Sequence, residues 1–144
     1  MLKLALIQLP NPNLSNPFMY FPLGILYLAA VVKNAGVSVE IVDMRGGIKE
    51  LPEAEYYGFS CTTPEITMAK KIAKQAKGLT IIGGTHASAL PQDCVADFDY
   101  VVRGEGEEVI LDILNKKVSS QIINAPRIKN LDSVPYPAWD LVEG

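Results

Sequence analysis

Short apolar runs alternate with helix-patterned segments along the middle of this chain, and that alternation restricts its fold more than any other feature. Leu2–Leu9 is almost uninterrupted in apolar residues, as a strand buried on both faces requires. After an Asn- and Pro-rich loop, Pro10–Tyr20, Pro22 is placed to open a helix that runs to Asn34 and stops at Gly36. Val37–Asp43 and Tyr56–Cys61 read as the second and third strands, with a turn at Arg45-Gly46-Gly47. Thr63-Pro64-Glu65 has the chemistry of a helix start, and Ile66, Ala69, Ile72, Ala73 and Ala76 follow at helical spacing up to Gly78. Leu79–Ile82 and Tyr100–Val102 complete five strands. Residues 85–92 form a loop with room for one short helix, residues 105–115 a last helix, and Ile122-Ile123 a candidate sixth strand.

Strands and helices in that order, joined by short links, imply a parallel sheet covered on both faces. The expected fold is a Rossmann-like or flavodoxin-like doubly wound α/β sheet of about five strands, in three α/β/α layers. At 144 residues the chain is one domain in length. Seven of its ten prolines fall in residues 1–22 or 126–144, so the regular body, residues 1–124, is expected to be followed by an irregular connector, residues 125–144.

Composition removes several function classes. The net charge of −3 leaves no basic field for a nucleic acid. No apolar run is long enough to cross a membrane, and the N-terminal run is broken at Gln8 and Pro10, too early for a signal peptide. Cys61 and Cys94 fit neither a disulfide framework nor zinc spacing, which points to a reducing cytoplasm.

Parallel α/β sheets bind ligands at the carboxyl ends of their strands. The candidate binding loops are therefore residues 9–21, 43–48, 60–64, 83–88 and 103–107. The first, opening with Leu9, Pro10 and Asn11, contains no glycine, so a dinucleotide has no turn on which to dock. Nor is there a Gly-Lys pair followed by Ser or Thr for a phosphate loop. A receiver domain would need a carboxylate where Ser60-Cys61-Thr62 stands. Cys61 and His86 end neighbouring strands, so a thiol–imidazole enzyme is one reading; a small buried cysteine is the other.

The more informative group is Ser60 and Thr62, set on one face by strand alternation, beside Gly83 and Gly84. Small hydroxyls next to bare backbone suit a flat heteroaromatic body threaded between strand ends; the same glycines would also serve as a plain strand exit. On the ligand reading, valine at Gly84 is expected to fill the slot and leave the fold intact.

The order of Pro22-Leu-Gly-Ile-Leu-Tyr-Leu-Ala-Ala30, Gly58-Phe-Ser-Cys-Thr-Thr-Pro64, Gly83-Gly-Thr-His86 and Val102-Arg-Gly-Glu-Gly-Glu107 resembles the cobalamin-binding domain of cobalamin-dependent radical S-adenosylmethionine enzymes. Leu131-Asp-Ser-Val-Pro-Tyr-Pro-Ala-Trp-Asp140 resembles that family's connector into its radical barrel. The resemblance implies a base-off cobalamin whose corrin lies across the strand ends and whose nucleotide tail enters the sheet-side slot. Ser60 and Thr62, with Cys61 between them, match the element lining the tail. Gly83 and Gly84, followed by Thr85 and His86, match the pair that admits it. Gly104, Glu105 and Gly106 match a loop at the ring's edge, and the strand-one loop at Leu9, Pro10 and Asn11 is counted with the site. Arg103 and Glu107 read as helix-start electrostatics and salt bridging.

Two departures from related patterns matter. Other cobalamin proteins supply a cobalt-ligating histidine from the loop after strand one; here that loop has none, and Asp43-Met-Arg-Gly-Gly47 carries arginine after the wrong strand. No metal ligand is therefore expected from the chain, with His86 the one imidazole on offer, and reduction of the cobalt is expected to be easier. The radical enzymes also hold a 4Fe–4S cluster on three closely spaced cysteines, which two cysteines 33 residues apart cannot do. S-adenosylmethionine and the cluster would belong to a C-terminal radical domain, in cis or in trans, with methyl transfer or related radical chemistry in the parent. The end of the chain inside the connector favours an excised domain that catalyses nothing alone and can self-associate through its apolar tail. The competing expectation is a flavodoxin-like interaction or regulatory module that has lost its ligand.

Overall fold

A computed structural model describes residues 2–9, 23–104 and 106–125. Six parallel strands form one sheet: β1 (Leu2–Gln8), β2 (Val39–Asp43), β3 (Ala54–Ser60), β4 (Leu79–Gly83), β5 (Tyr100–Arg103) and β6 (Ile122–Asn124). Their order is β2-β1-β3-β4-β5-β6. The chain steps outward from β1 to β2, then returns across β1 to β3, so strand order reverses between β1 and β3. The register sets Leu4 beside Val39 on one side and Tyr56 on the other, and Ser60 beside Gly83 at the carboxyl end. The sixth strand, expected only as a candidate, pairs Val101 with Ile122 and Val102 with Ile123.

Alternation along the strands divides the core in two. Leu4 and Leu6 face one way with Ile25, Leu26, Ile110 and Ile113, so α1 (Leu23–Asn34) and α4 (Ile110–Leu114) cover that face. Ala5 and Ile7 face the other way with Tyr57, Phe59, Ala69 and Ile72, beneath α2 (Ile66–Ala73) and α3 (Thr85–Ala89). Burying both faces explains why β1 carries no alternation of polar residues.

Helix α1 ends as its sequence indicates, in a Schellman motif in which the Val37 N–H donates to Val32 O at 3.2 Å and the Gly36 N–H to Lys33 O at 3.0 Å. The expected start at Pro22 lies outside the described residues. Helix α2 is shorter than its apolar spacing implies. It stops at Ala73, and the Gln75 and Ala76 N–H groups fall back to Ile72 O and Ala73 O in tighter turns. Gly78 is not its cap: a β-carbon there would collide with the backbone of Ala54 and Glu55, so the glycine admits the close approach to β3. The last helix is likewise shorter than 105–115, with a 3₁₀ turn at Gly106–Glu108 ahead of α4.

Candidate functional site

At the carboxyl half of the sheet, on the α1/α4 face, lies a cavity of about 190 Å³. β3 contributes Gly58 and Ser60 to its wall, β4 contributes Ile81 and Gly83, and Leu6 and Val102 come from β1 and β5. Ile25 and Leu28 on α1 and Ile110 and Ile113 on α4 close the helical side. The lining is almost wholly apolar, with Ser60 and Glu107 as its polar side chains. An apolar cavity of about 150 Å³ admits a benzene molecule, so this one has the size and chemistry for a flat bicyclic ring.

The two adjacent glycines have different tasks. A β-carbon on Gly83 would meet only Val102 Cβ, at 4.0 Å, so its bare backbone opens onto free space in the cavity. Gly84 has φ +95° and is pressed against the end of β3: a β-carbon there would come 2.7 Å from Cys61 O and 2.8 Å from Cys61 N. It also forms the N-terminal boundary of α3, whose His86 N–H donates to Cys61 O at 3.3 Å. The expectation that Gly84 tolerates valine is therefore overturned: both conformation and space at 84 are structural, and Gly83 is the position that a ligand would notice.

Of the residues singled out in the sequence, Ser60, Gly83, Gly84, Gly104 and Gly106 meet around this one cavity. Pro10, Asn11, Glu105 and the connector beyond Ala125 lie outside the described residues. Leu9 and Cys61 are buried in the core of the opposite face. Thr62 and Thr85 are exposed and do not line the cavity. The Thr62 N–H donates to Glu65 Oε1 at 2.9 Å, which makes Thr62 the start of the 3₁₀ turn at Thr63–Glu65. Gly58 and the apolar lining were not among the candidates. A glycine within a strand was the available signal for Gly58; the apolar residues look like any other core residues until the helices are placed over them.

The thiol–imidazole reading fails on geometry. Burial pushes the Cys61 thiol up to about 12, so it is not a thiolate at neutral pH. The His86 ring, 2% exposed, points its nitrogens elsewhere: Nδ1 lies 3.0 Å from Thr63 Oγ1 and Nε2 2.8 Å from Asp93 Oδ2. Both ring nitrogens of His86 are held by partners inside the protein and are not turned toward a cobalt ion at the slot. Among the described residues no group of three His, Cys, Asp or Glu side chains is arranged to hold a metal. Arg103 is engaged at the rim, with Nε donating to Ser88 O at 3.1 Å.

At the end of β2, Asp43 and Arg45 form a buried pair. Arg45 Nη2 donates to Oδ2 at 2.7 Å, Nε to Oδ1 at 2.9 Å and the Arg45 backbone N–H to Oδ1 at 3.0 Å. Burial alone would push this carboxyl up. The three donors of Arg45 outweigh it and hold Asp43 below the ordinary carboxylate range.

A sheet with this order, carrying an apolar slot beside its strand reversal, defines a small-molecule-binding domain of the doubly wound class. Comparison with known proteins narrows the class: residues 15–114 match the B12 binding domain family, and the chain belongs to it. That membership supports cobalamin as the ligand. The chain is also 28% identical, over an alignment of 156 positions, to an uncharacterized methyltransferase of Pyrococcus horikoshii. The alignment covers 84% of this chain and 34% of the relative, so the chain spans about a third of that protein's length. No solved structure matches the chain. Among the described residues no helix is long and apolar enough to cross a membrane.

Proposed function

We propose that this domain holds cobalamin base-off and histidine-off, with the nucleotide tail in the slot between the sheet and α1/α4 and the corrin across the strand ends. The observation that carries the reading is the open backbone of Gly83 beside Ser60, in an apolar cavity sized for a bicyclic ring. Ser60 supplies the slot's hydroxyl, Gly83 its room, and Leu6, packed against Gly58, forms its apolar floor with Ile81 and Val102. When bound, cobalamin supplies a cobalt centre able to carry a methyl group; the protein's part is to seat it and to leave its upper face free.

We further propose that such a domain serves a radical S-adenosylmethionine enzyme, in cis or in trans, that performs methyl transfer or related chemistry. The methyltransferase description of the Pyrococcus horikoshii relative supports the methyl-transfer part of that reading. The test is retention of ligand: wild-type protein incubated with hydroxocobalamin should stay coloured through gel filtration. Gly83→Val should elute at the same volume without colour. A colourless wild-type protein would contradict the proposal.

A further inference from the structure

His86 is the only histidine of the chain, is nearly fully buried, and has no part in the slot. It joins an exposed hydroxyl to a surface carboxylate. On one side stands Thr63 Oγ1, 3.0 Å from Nδ1; on the other Asp93 Oδ2, 2.8 Å from Nε2. Asp93 is itself held by Lys70 Nζ, 3.2 Å from Oδ1, and Lys70 also reaches Asp97 at 3.6 Å. The hydrogen bond from His86 and then that from Lys70 hold the Asp93 carboxyl below its ordinary range, so it is an acceptor with no hydrogen to give.

That chain of contacts sets where the hydrogens lie when the His86 ring is neutral. A carboxylate facing Nε2 requires the ring hydrogen on Nε2. In the neutral ring Nδ1 is then bare, and the only hydrogen available between it and Thr63 is the hydroxyl's own. In that neutral form Thr63 directs its hydrogen inward and leaves only lone pairs outward. It stands exposed at the carboxyl end of β3, three residues beyond the slot residue Ser60 and beside the strand reversal.

We propose that Thr63 is a ligand-positioning residue: a hydroxyl fixed as an acceptor by His86 and Asp93, which receives a hydrogen bond from an N–H donor of the carboxamides that fringe a corrin. The inference rests on the cobalamin reading above and adds a contact outside the tail slot. Asp93 and His86 touch no ligand; they set the polarity of the hydroxyl that does.

The experiment combines nitrogen–proton correlation spectra of the His86 ring in the ligand-free protein with spectral titrations of hydroxocobalamin. The ring should carry its hydrogen on Nε2 and show a bare Nδ1. In Asp93→Asn the side-chain amide can donate to Nε2, so the hydrogen should move to Nδ1 and turn the Thr63 hydroxyl outward as a donor. Thr63→Val should weaken binding by about three- to tenfold, the worth of one hydrogen bond. Asp93→Asn should weaken it comparably with Thr63 intact, and Thr63→Ser should restore it. Hydrogen on Nδ1 in the wild type, or wild-type affinity in Thr63→Val, overturns the inference alone. Failure of the wild type to bind overturns the cobalamin reading and this contact with it.

Discussion

Gly84 sits so close to Cys61 that a β-carbon on it would lie 2.7 Å from the Cys61 carbonyl oxygen. That approach ties the exit of β4 to the exit of β3, where the Cys61 N–H also donates to Gly83 O at 3.2 Å. The neighbouring Gly83 has open space instead. One glycine holds the frame of the site and the other leaves room in it.

The two positions should therefore separate stability from binding. Gly84→Ala places a β-carbon against backbone at a positive φ, and should cost about 2 kcal/mol or more in urea unfolding. Gly83→Val should unfold close to wild type yet lose hydroxocobalamin, because its side chain enters the slot. Loss of binding in a stable Gly83→Val protein, beside an unstable Gly84→Ala, is the expected pair of results. The reverse pair would show the roles exchanged.

Cys61 should resist alkylation in the folded protein. Its thiol is raised from 9.0 to about 12 by burial first and by Glu65 second, so the thiolate is scarce near pH 8. Iodoacetamide should label Cys61 only after denaturant is added. The raised value also carries a sign: the folded state favours the protonated thiol, so its contribution is complete below the unfolded value. It is lost as pH rises from about 9 toward 12. Cys61→Ala should flatten alkaline destabilisation in that window.

Asp43 should act at the opposite end of the pH range. Its folded value lies below 3.8, so the pair with Arg45 stabilises the fold above that pH and is lost as pH falls through the lowered value. Asp43→Asn removes the charge facing a buried guanidinium and should cost about 3 kcal/mol at pH 7. Its stability should then vary less than wild type below pH 4. An unchanged acid limb in Asp43→Asn would place the acid sensitivity elsewhere.

The fold was legible because each strand of a sheet buried on both faces leaves an apolar run, and each covering helix leaves its own period. The end of α2 was not, because Gly78 looks like a helix stop in sequence whereas its reason is the backbone of β3 passing beside it. The site was legible in part for the same kind of reason. Ser60, Gly83, Gly84, Gly104 and Gly106 stand out as small residues at strand ends, and they do converge. Which glycine is open and which is pinned depends on φ and on neighbours from another strand. The link between Thr63, His86 and Asp93 spans 30 residues of sequence with no periodic signature, and only the placement of α3 beside the turn that follows β3 brings the three together.

The central claim is base-off, histidine-off cobalamin in the slot beside Gly83, and a visible-spectrum titration of the protein with hydroxocobalamin tests it most directly. Saturation at one cobalamin per chain, a base-off spectrum, and the same spectrum in His86→Ala are expected. Absence of binding, or a histidine-ligated spectrum that disappears in His86→Ala, would contradict it.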